Sequence, residues 1–327
     1  MKKRRLGNNG FEISEIGLGC WQIGGDWGAE IGNEKSQEIL SKAVDSGITF
    51  FDTADVYGNG RSEEQIGRFL KEHNEEVKVA TKFGRDANIF PDNYTEKGLR
   101  DCVAASKKRL GVSCIDLLQL HCIPIDVLRK GEVFNWLRAL KKEGEISHFG
   151  VSVESEEEGL LCLKEEGIQS LQVIFNIFRQ KLATQLLPQA KVQGVGIIVR
   201  LPLASGLLTG KFTKETQFSE DDHRNFNSNG EVFNVGETFA GLPFEKGVEL
   251  ANELKKLCPS NMSLAEMSLR WILDHEEVTT IIPGASSSKH IQANSKVSSL
   301  PPLPDQLTAE IAHFYKEHVH DHIRGVY

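Results

Sequence analysis

Apolar residues in this chain gather in short runs, and several of the runs close on a single polar residue. Ile48-Thr49-Phe50-Phe51 leads into Asp52, Val77-Lys78-Val79-Ala80-Thr81 into Lys82, and Ile115-Asp116-Leu117-Leu118-Gln119-Leu120 into His121. Short apolar runs of this kind predict buried strands. Longer segments between them place apolar residues at helical spacing, as with Phe134, Leu137 and Leu140. The predicted strands cover residues 15–20, 48–53, 77–82, 115–121, 148–153, 171–177, 195–203 and 279–283. Helices are predicted at 33–46, 62–73, 95–110, 127–142, from 153 to 166, at 183–193 and at 263–274. Ser62 is placed to cap its helix, with Glu63 and Glu64 near the positive end.

Eight strands alternating with helices imply a parallel sheet closed into an α/β barrel, the (β/α)8 or TIM barrel. An open doubly wound sheet is the rival. No G-x-G-x-x-G turn joins the first strand to its helix, and Trp21-Gln22-Ile23-Gly24-Gly25 is a poor helix start. Asn8-Asn9-Gly10 marks a turn between Arg4-Arg5-Leu6 and Phe11-Glu12-Ile13, so a β-hairpin precedes the barrel. Residues 212–244 break the rhythm after strand seven. They are polar, with Asp221-Asp222-His223-Arg224 near the centre, and read as an insertion over the active face or as a disordered loop. A last helix is predicted at 306–318. All 327 residues are expected to form one domain.

In a parallel barrel the strand C-termini meet on one face, where active sites form. That face would gather Asp52, Tyr57 in the loop beyond it, Lys82 and His121. Taken singly, each has a plainer reading as a turn former, a packed ring or a satisfied strand-end group. Composition changes the picture little. The net charge of −8 argues against a nucleic-acid partner. No apolar run is long enough to span a bilayer, and Met1-Lys2-Lys3-Arg4-Arg5 is not followed by a secretory h-region, so a cytoplasmic location is expected. The 6 cysteines show no zinc-type spacing, and His320-Asp321-His322 lacks a third ligand, so no metal is expected.

The chain resembles the aldo-keto reductases. The resemblance is carried by Gly17-Leu18-Gly19-Cys20-Trp21, Asp52-Thr53-Ala54-x-x-Tyr57-Gly58, Arg61-Ser62-Glu63, Lys82 and His121 after Asp116-Leu117-Leu118. It continues through Gly150-Val151-Ser152, Gln172, the stretch Pro202-Leu203-Ala204-Ser205-Gly206-Leu207-Leu208-Thr209-Gly210-Lys211 and Ile282-Pro283-Gly284, reaching about Asn294. It implies hydride transfer between a nicotinamide and an aldehyde or ketone. Tyr57 would donate the proton, Lys82 would lower its pKa, Asp52 would hold Lys82, and His121 would orient the carbonyl. Lowering a phenol by three units takes roughly 4 kcal/mol. One ammonium at about 4 Å supplies that at an effective dielectric of ~20.

The resemblance also implies the cofactor contacts. Ser152 and Gln172 would bind the carboxamide, although Val153 stands where an asparagine is usual. Arg200 replaces the usual stacking aromatic, so it is expected either to face elsewhere or to bias which redox state binds. The stretch containing Leu203, Ser205, Gly206, Leu208, Gly210 and Lys211 would wrap the pyrophosphate. Gly284, Ser286 and Ser288 lead into a helix whose N-terminus suits phosphate. Asn294 matches the family, whereas His290 and Ala293 replace the usual Gln and Glu, and serine stands where a basic residue often meets the extra phosphate of NADP. NADP(H) is placed ahead of NAD(H). Trp21 would line the pocket for a small carbonyl substrate. The rival reading is a regulatory protein that senses the nicotinamide with little turnover, as potassium channel beta subunits resemble the same family.

Overall fold

The computed structural model describes residues 1–25, 31–73 and 76–327. The chain opens with an antiparallel hairpin, β1 (Lys3–Arg5) and β2 (Glu12–Ser14). Eight parallel strands follow: β3 (Leu18–Gly19), β4 (Phe50–Asp52), β5 (Lys78–Phe83), β6 (Ile115–His121), β7 (Ile146–Ser152), β8 (Ile168–Ile174), β9 (Gly196–Arg200) and β10 (Val278–Ile281). They pair in sequence order from β3 to β10. Parallel bridges Ile16–Ile281 and Gly19–Gly284 join the two edges, so the sheet closes into the (β/α)8 barrel.

Side chains two apart on a strand share a face. Phe50, Ala80, Leu117 and Ile198 therefore form one inward layer with Leu6 and Ile13 of the hairpin, all fully buried. Gln169 Nε2 donates to the Leu6 carbonyl (2.6 Å), and Asn8 N to that of Gly194 (2.8 Å), so the hairpin seals the N-terminal end of the barrel. Two residues further along the same strands stand Asp52, Lys82, Gln119 and Arg200.

The strands fall where the apolar runs place them, with shifted ends. β9 stops at Arg200 instead of 203, because Leu201 adopts φ 50° and leaves the sheet. Gly131, at φ 75°, splits the predicted 127–142 helix into Ile125–Lys130 and Glu132–Glu143. Trp21–Gly24 does form one helical turn. Ser62 is not a cap. Its helix begins at Arg61, and its buried hydroxyl donates to the Cys20 carbonyl and accepts from Thr53 Oγ1, both at 2.8 Å.

The insertion is ordered. Phe212, Phe218 and Phe239 pack with Phe244 at ring-centroid distances of 5.0–6.0 Å. A helix the sequence pattern missed, Phe244–Leu254, follows directly. No helix among the described residues is long and apolar enough to cross a membrane.

Candidate active site

The strand C-termini assemble a buried polar network around Lys82, which has no exposed surface. Its three N–H groups find three acceptors: Asp52 Oδ2 at 2.6 Å, the Thr53 carbonyl at 2.7 Å and the Tyr57 hydroxyl at 3.4 Å. Asp52 Oδ1 accepts from Gln119 Nε2 (3.0 Å) and Gln172 Nε2 (2.7 Å), so both carboxylate oxygens have donors. Burial pulls the Lys82 ammonium down, but Asp52 and Tyr57 outweigh it and leave the pKa raised. The amine stays charged.

Tyr57 lies in a loop set by close approach. A side chain at Gly58 (φ 58°) would meet the Gly24 carbonyl at 2.1 Å. This contact brings the loop against the turn that carries Trp21, whose indole stacks on the Tyr57 ring (5.7 Å, 19°). The electrostatics correct the expectation for the phenol. Burial pushes Tyr57 up to about 12; Lys82 draws it down, while Asp52 and Glu237 push it up. A count that takes Lys82 alone leaves out the carboxylates that offset it and the cost of burying a phenolate. The phenol is thus protonated and its proton is present to be donated, but at about 12 it is a weak acid, so donation depends on Lys82 stabilising the phenolate left behind.

His121 presents its ring edge-on to Tyr57 at 5.9 Å. Burial, then Lys82, Arg85 and Arg200, hold the imidazole well below its ordinary pKa. Its Nδ1 is buried and has no hydrogen-bond partner among the described residues. A neutral imidazole beside the phenol can bind a carbonyl oxygen without adding charge.

The positions expected to meet a cofactor divide into groups. Ser152 and Gln172 reach the network, but Gln172 spends its amide on Asp52 and accepts from the Ser152 hydroxyl at 3.5 Å. Arg200 turns to the side. Its Nη1 pairs with Glu237 of the insertion at 3.1 Å, and its Nη2 approaches Cys122 Sγ (3.4 Å) and the Val153 carbonyl (3.3 Å). Leu203 precedes a turn in which Ala204 (φ 49°), Ser205 (φ 54°) and Gly206 (φ 101°) are all left-handed. The Ser205 hydroxyl joins the turn to the insertion, donating to the Glu237 carbonyl and accepting from Phe239 N. The Leu208 side chain is buried in the core, which leaves only its backbone for a ligand. Gly210 (φ 65°) and Lys211 follow, and Lys211 lies near enough to His290 to lower its pKa, after burial and together with Lys35.

Beyond β10, Gly284 bridges to Gly19, and Ser287 caps the helix Ser288–Lys296. Ser286 Oγ contacts His290 Nδ1 at 3.3 Å, Asn294 is largely buried, and the Ser288 hydroxyl is taken by Glu38.

Several residues at the mouth escaped sequence reasoning. Gln119 shares the inward face of His121 two positions away, a signal that was there to be read. Arg85, Glu154 and Asn234 lie in loops and Glu237 ends a single 3-10 turn, Val235–Glu237, with no periodicity to mark any of them. Arg85 Nη2 pairs with Glu154 at 2.5 Å and stands 4.0 Å from Glu237, and Asn234 Nδ2 donates to Glu154 at 3.2 Å. A cleft of about 340 Å³ opens beside them, lined by Phe90, Cys122, Phe233 and Val326 among others. Cys122, Glu154 and Glu237 are close enough to share a cation, but both carboxylates are already held by guanidinium groups.

The aldo/keto reductase family profile matches residues 15–316, and the chain belongs to that family. An aldo-keto reductase of Bacillus subtilis is 31% identical over 91% of this chain and 89% of its own. An NADH-specific methylglyoxal reductase of Escherichia coli is 28% identical (90% and 92% covered). A Schizosaccharomyces pombe aldo-keto reductase named for NADP(+) is also 28% identical (89% and 85%). Among solved structures, a glycerol dehydrogenase from Gluconobacter oxydans superposes with TM-score 0.78 at 28% identity, covering 99% of this chain and 98% of that one. The protein is thus an oxidoreductase of a family that uses nicotinamide cofactors.

Proposed function

We propose that the protein reduces aldehydes or ketones to alcohols with NADPH, and that Tyr57 donates the proton. The observation carrying this reading is the chain of contacts from Asp52 to Lys82 (2.6 Å) to the Tyr57 hydroxyl (3.4 Å), enclosed at one end of the barrel. The bound nicotinamide would supply hydride; the remaining work belongs to the protein. Asp52 fixes the Lys82 ammonium. Lys82, donating to the phenol oxygen, stabilises the phenolate left once the proton has moved to the substrate oxygen. The neutral His121 orients that oxygen, and Trp21 covers the phenol from above its ring face.

The groups present suit such a cofactor. The left-handed turn at 204–206 is of the kind in which successive amides form an anion-binding concavity. Lys211 and the N-terminus of the helix Ser288–Lys296 add positive potential nearby. Ser152, Gln172 and Asn294 offer amide and hydroxyl groups, with Gly206, Gly210 and Gly284 leaving room for backbone approach.

NADH is the second reading. It is favoured by the Glu38 carboxylate on Ser288, which opposes an extra phosphate there, and by the NADH-specific relative. Fluorescence titration of the purified protein with NADPH and NADH decides between them. Steady-state oxidation with an aldehyde panel tests the reaction itself. Tight dinucleotide binding with negligible turnover across the panel would overturn the reductase reading in favour of a sensor.

A further inference from the structure

The mouth of the chamber holds two guanidinium groups from different parts of the barrel, Arg200 at the end of β9 and Arg85 beyond β5. Both face a carboxylate that the barrel itself does not supply. Glu237 comes from the insertion, with one oxygen 3.1 Å from Arg200 Nη1 and the other 4.0 Å from Arg85 Nη2. Its position is fixed through its own carbonyl, which accepts from Ser205 Oγ at 3.2 Å. Planar guanidinium groups converging on one carboxylate are the usual means of recognising that anion. Here the anion belongs to the protein.

The rest of the mouth is matched or uncharged among the described residues. Lys82 is paired with Asp52, and Arg85 also holds Glu154. Trp21 and Phe233 form an aromatic wall (6.2 Å apart) against the His223 ring, 4.8 Å from the indole. Burial, only partly offset by Asp222, lowers the His223 pKa to about 4, so this ring is neutral at ordinary pH. Arg85 and Arg200 outweigh the effect of burial on Glu237 and keep it below the usual carboxylate range, hence ionised.

We propose that Glu237 is a specificity-determining residue. By occupying the place where Arg200 and Arg85 would otherwise seat a substrate carboxylate, it restricts the enzyme to uncharged carbonyl compounds. This rests on the reductase reading and adds the charge of the substrate to it. An incoming carboxylate meets a like charge of fixed position in a poorly screened mouth, whereas an uncharged aldehyde meets rings.

The test compares benzaldehyde with 4-carboxybenzaldehyde, following oxidation of the reduced nicotinamide. The wild type is expected to favour benzaldehyde by about tenfold or more in kcat/KM, with most of the difference in KM. Glu237→Gln should shift that ratio toward the carboxylate by about tenfold, and adding Arg200→Met should abolish the shift. A merely structural role for Glu237 would lower both efficiencies together and leave the ratio alone. Equal or better use of the carboxylate by the wild type, which needs no variant, overturns the proposal. So does an unchanged ratio in Glu237→Gln. Failure of the wild type to turn over either aldehyde would overturn the reductase reading, and this inference with it.

Discussion

At one end of the barrel Phe50, Ala80, Leu117 and Ile198 pack against Leu6 and Ile13. Two residues along the same strands, Asp52, Lys82, Gln119 and Arg200 face the same interior with charges and amides. The backbone geometry is shared, so the difference lies in what each layer asks of its neighbours. The apolar layer needs volume and exclusion of water. The polar layer needs partners, because a buried charge left alone costs more than its paired form gains. Lys82 illustrates this with three acceptors for three N–H groups, and Asp52 with two amides on the oxygen that Lys82 does not use.

Lys82→Met should show the contrast most strongly. It leaves Asp52 buried beside an apolar chain, so the unfolding free energy in urea should fall by about 4 kcal/mol and carbonyl reduction should vanish. Adding Asp52→Asn should recover stability but no activity. Tyr57→Phe should separate the two losses. Reduction falls by about a thousandfold while dinucleotide affinity stays within about twofold and stability barely moves. At the apolar end Leu117→Ala should do the converse, costing about 3 kcal/mol of stability with kcat retained. A large loss of kcat there would show that the two layers are mechanically coupled.

Two pH effects are smaller. Because the Tyr57 phenol sits near 12, the reduction rate should show no falling limb from this group between about pH 6 and 9, whereas alcohol oxidation should speed up as pH rises. Asp55, whose carboxyl is raised to about 6 by burial, affects stability instead. Its folded pKa exceeds its unfolded one, so the native state binds the extra proton. Stability from this group is present below about pH 4 and is lost as pH rises through 6, by about 3 kcal/mol. Asp55→Asn should flatten that slope in thermal melts.

The sequence revealed the barrel because each strand is an apolar run with a polar end, and it revealed Asp52, Tyr57, Lys82 and His121 because they stand at or just past those ends. What stayed hidden obeys no short period. Glu237 meets Arg200, and Asn234 meets Glu154, only after the insertion folds back. The insertion itself reads as polar because its phenylalanines are irregularly spaced, yet they cluster once the chain turns. The direction of the Tyr57 shift was missed for a related reason. It depends first on the enclosure, then on Asp52 and Glu237, and of these only Asp52 stands in the local motif.

The hairpin stoppered into the barrel floor has a kinetic consequence. Among the described residues Leu6 and Ile13 shut that end, so a reactant bound for Tyr57 would come from the opposite end, where Trp21 and Phe233 stand. On the proposed reaction, a dinucleotide and a carbonyl compound sharing that end would bind in order, the deeper one first in and last out.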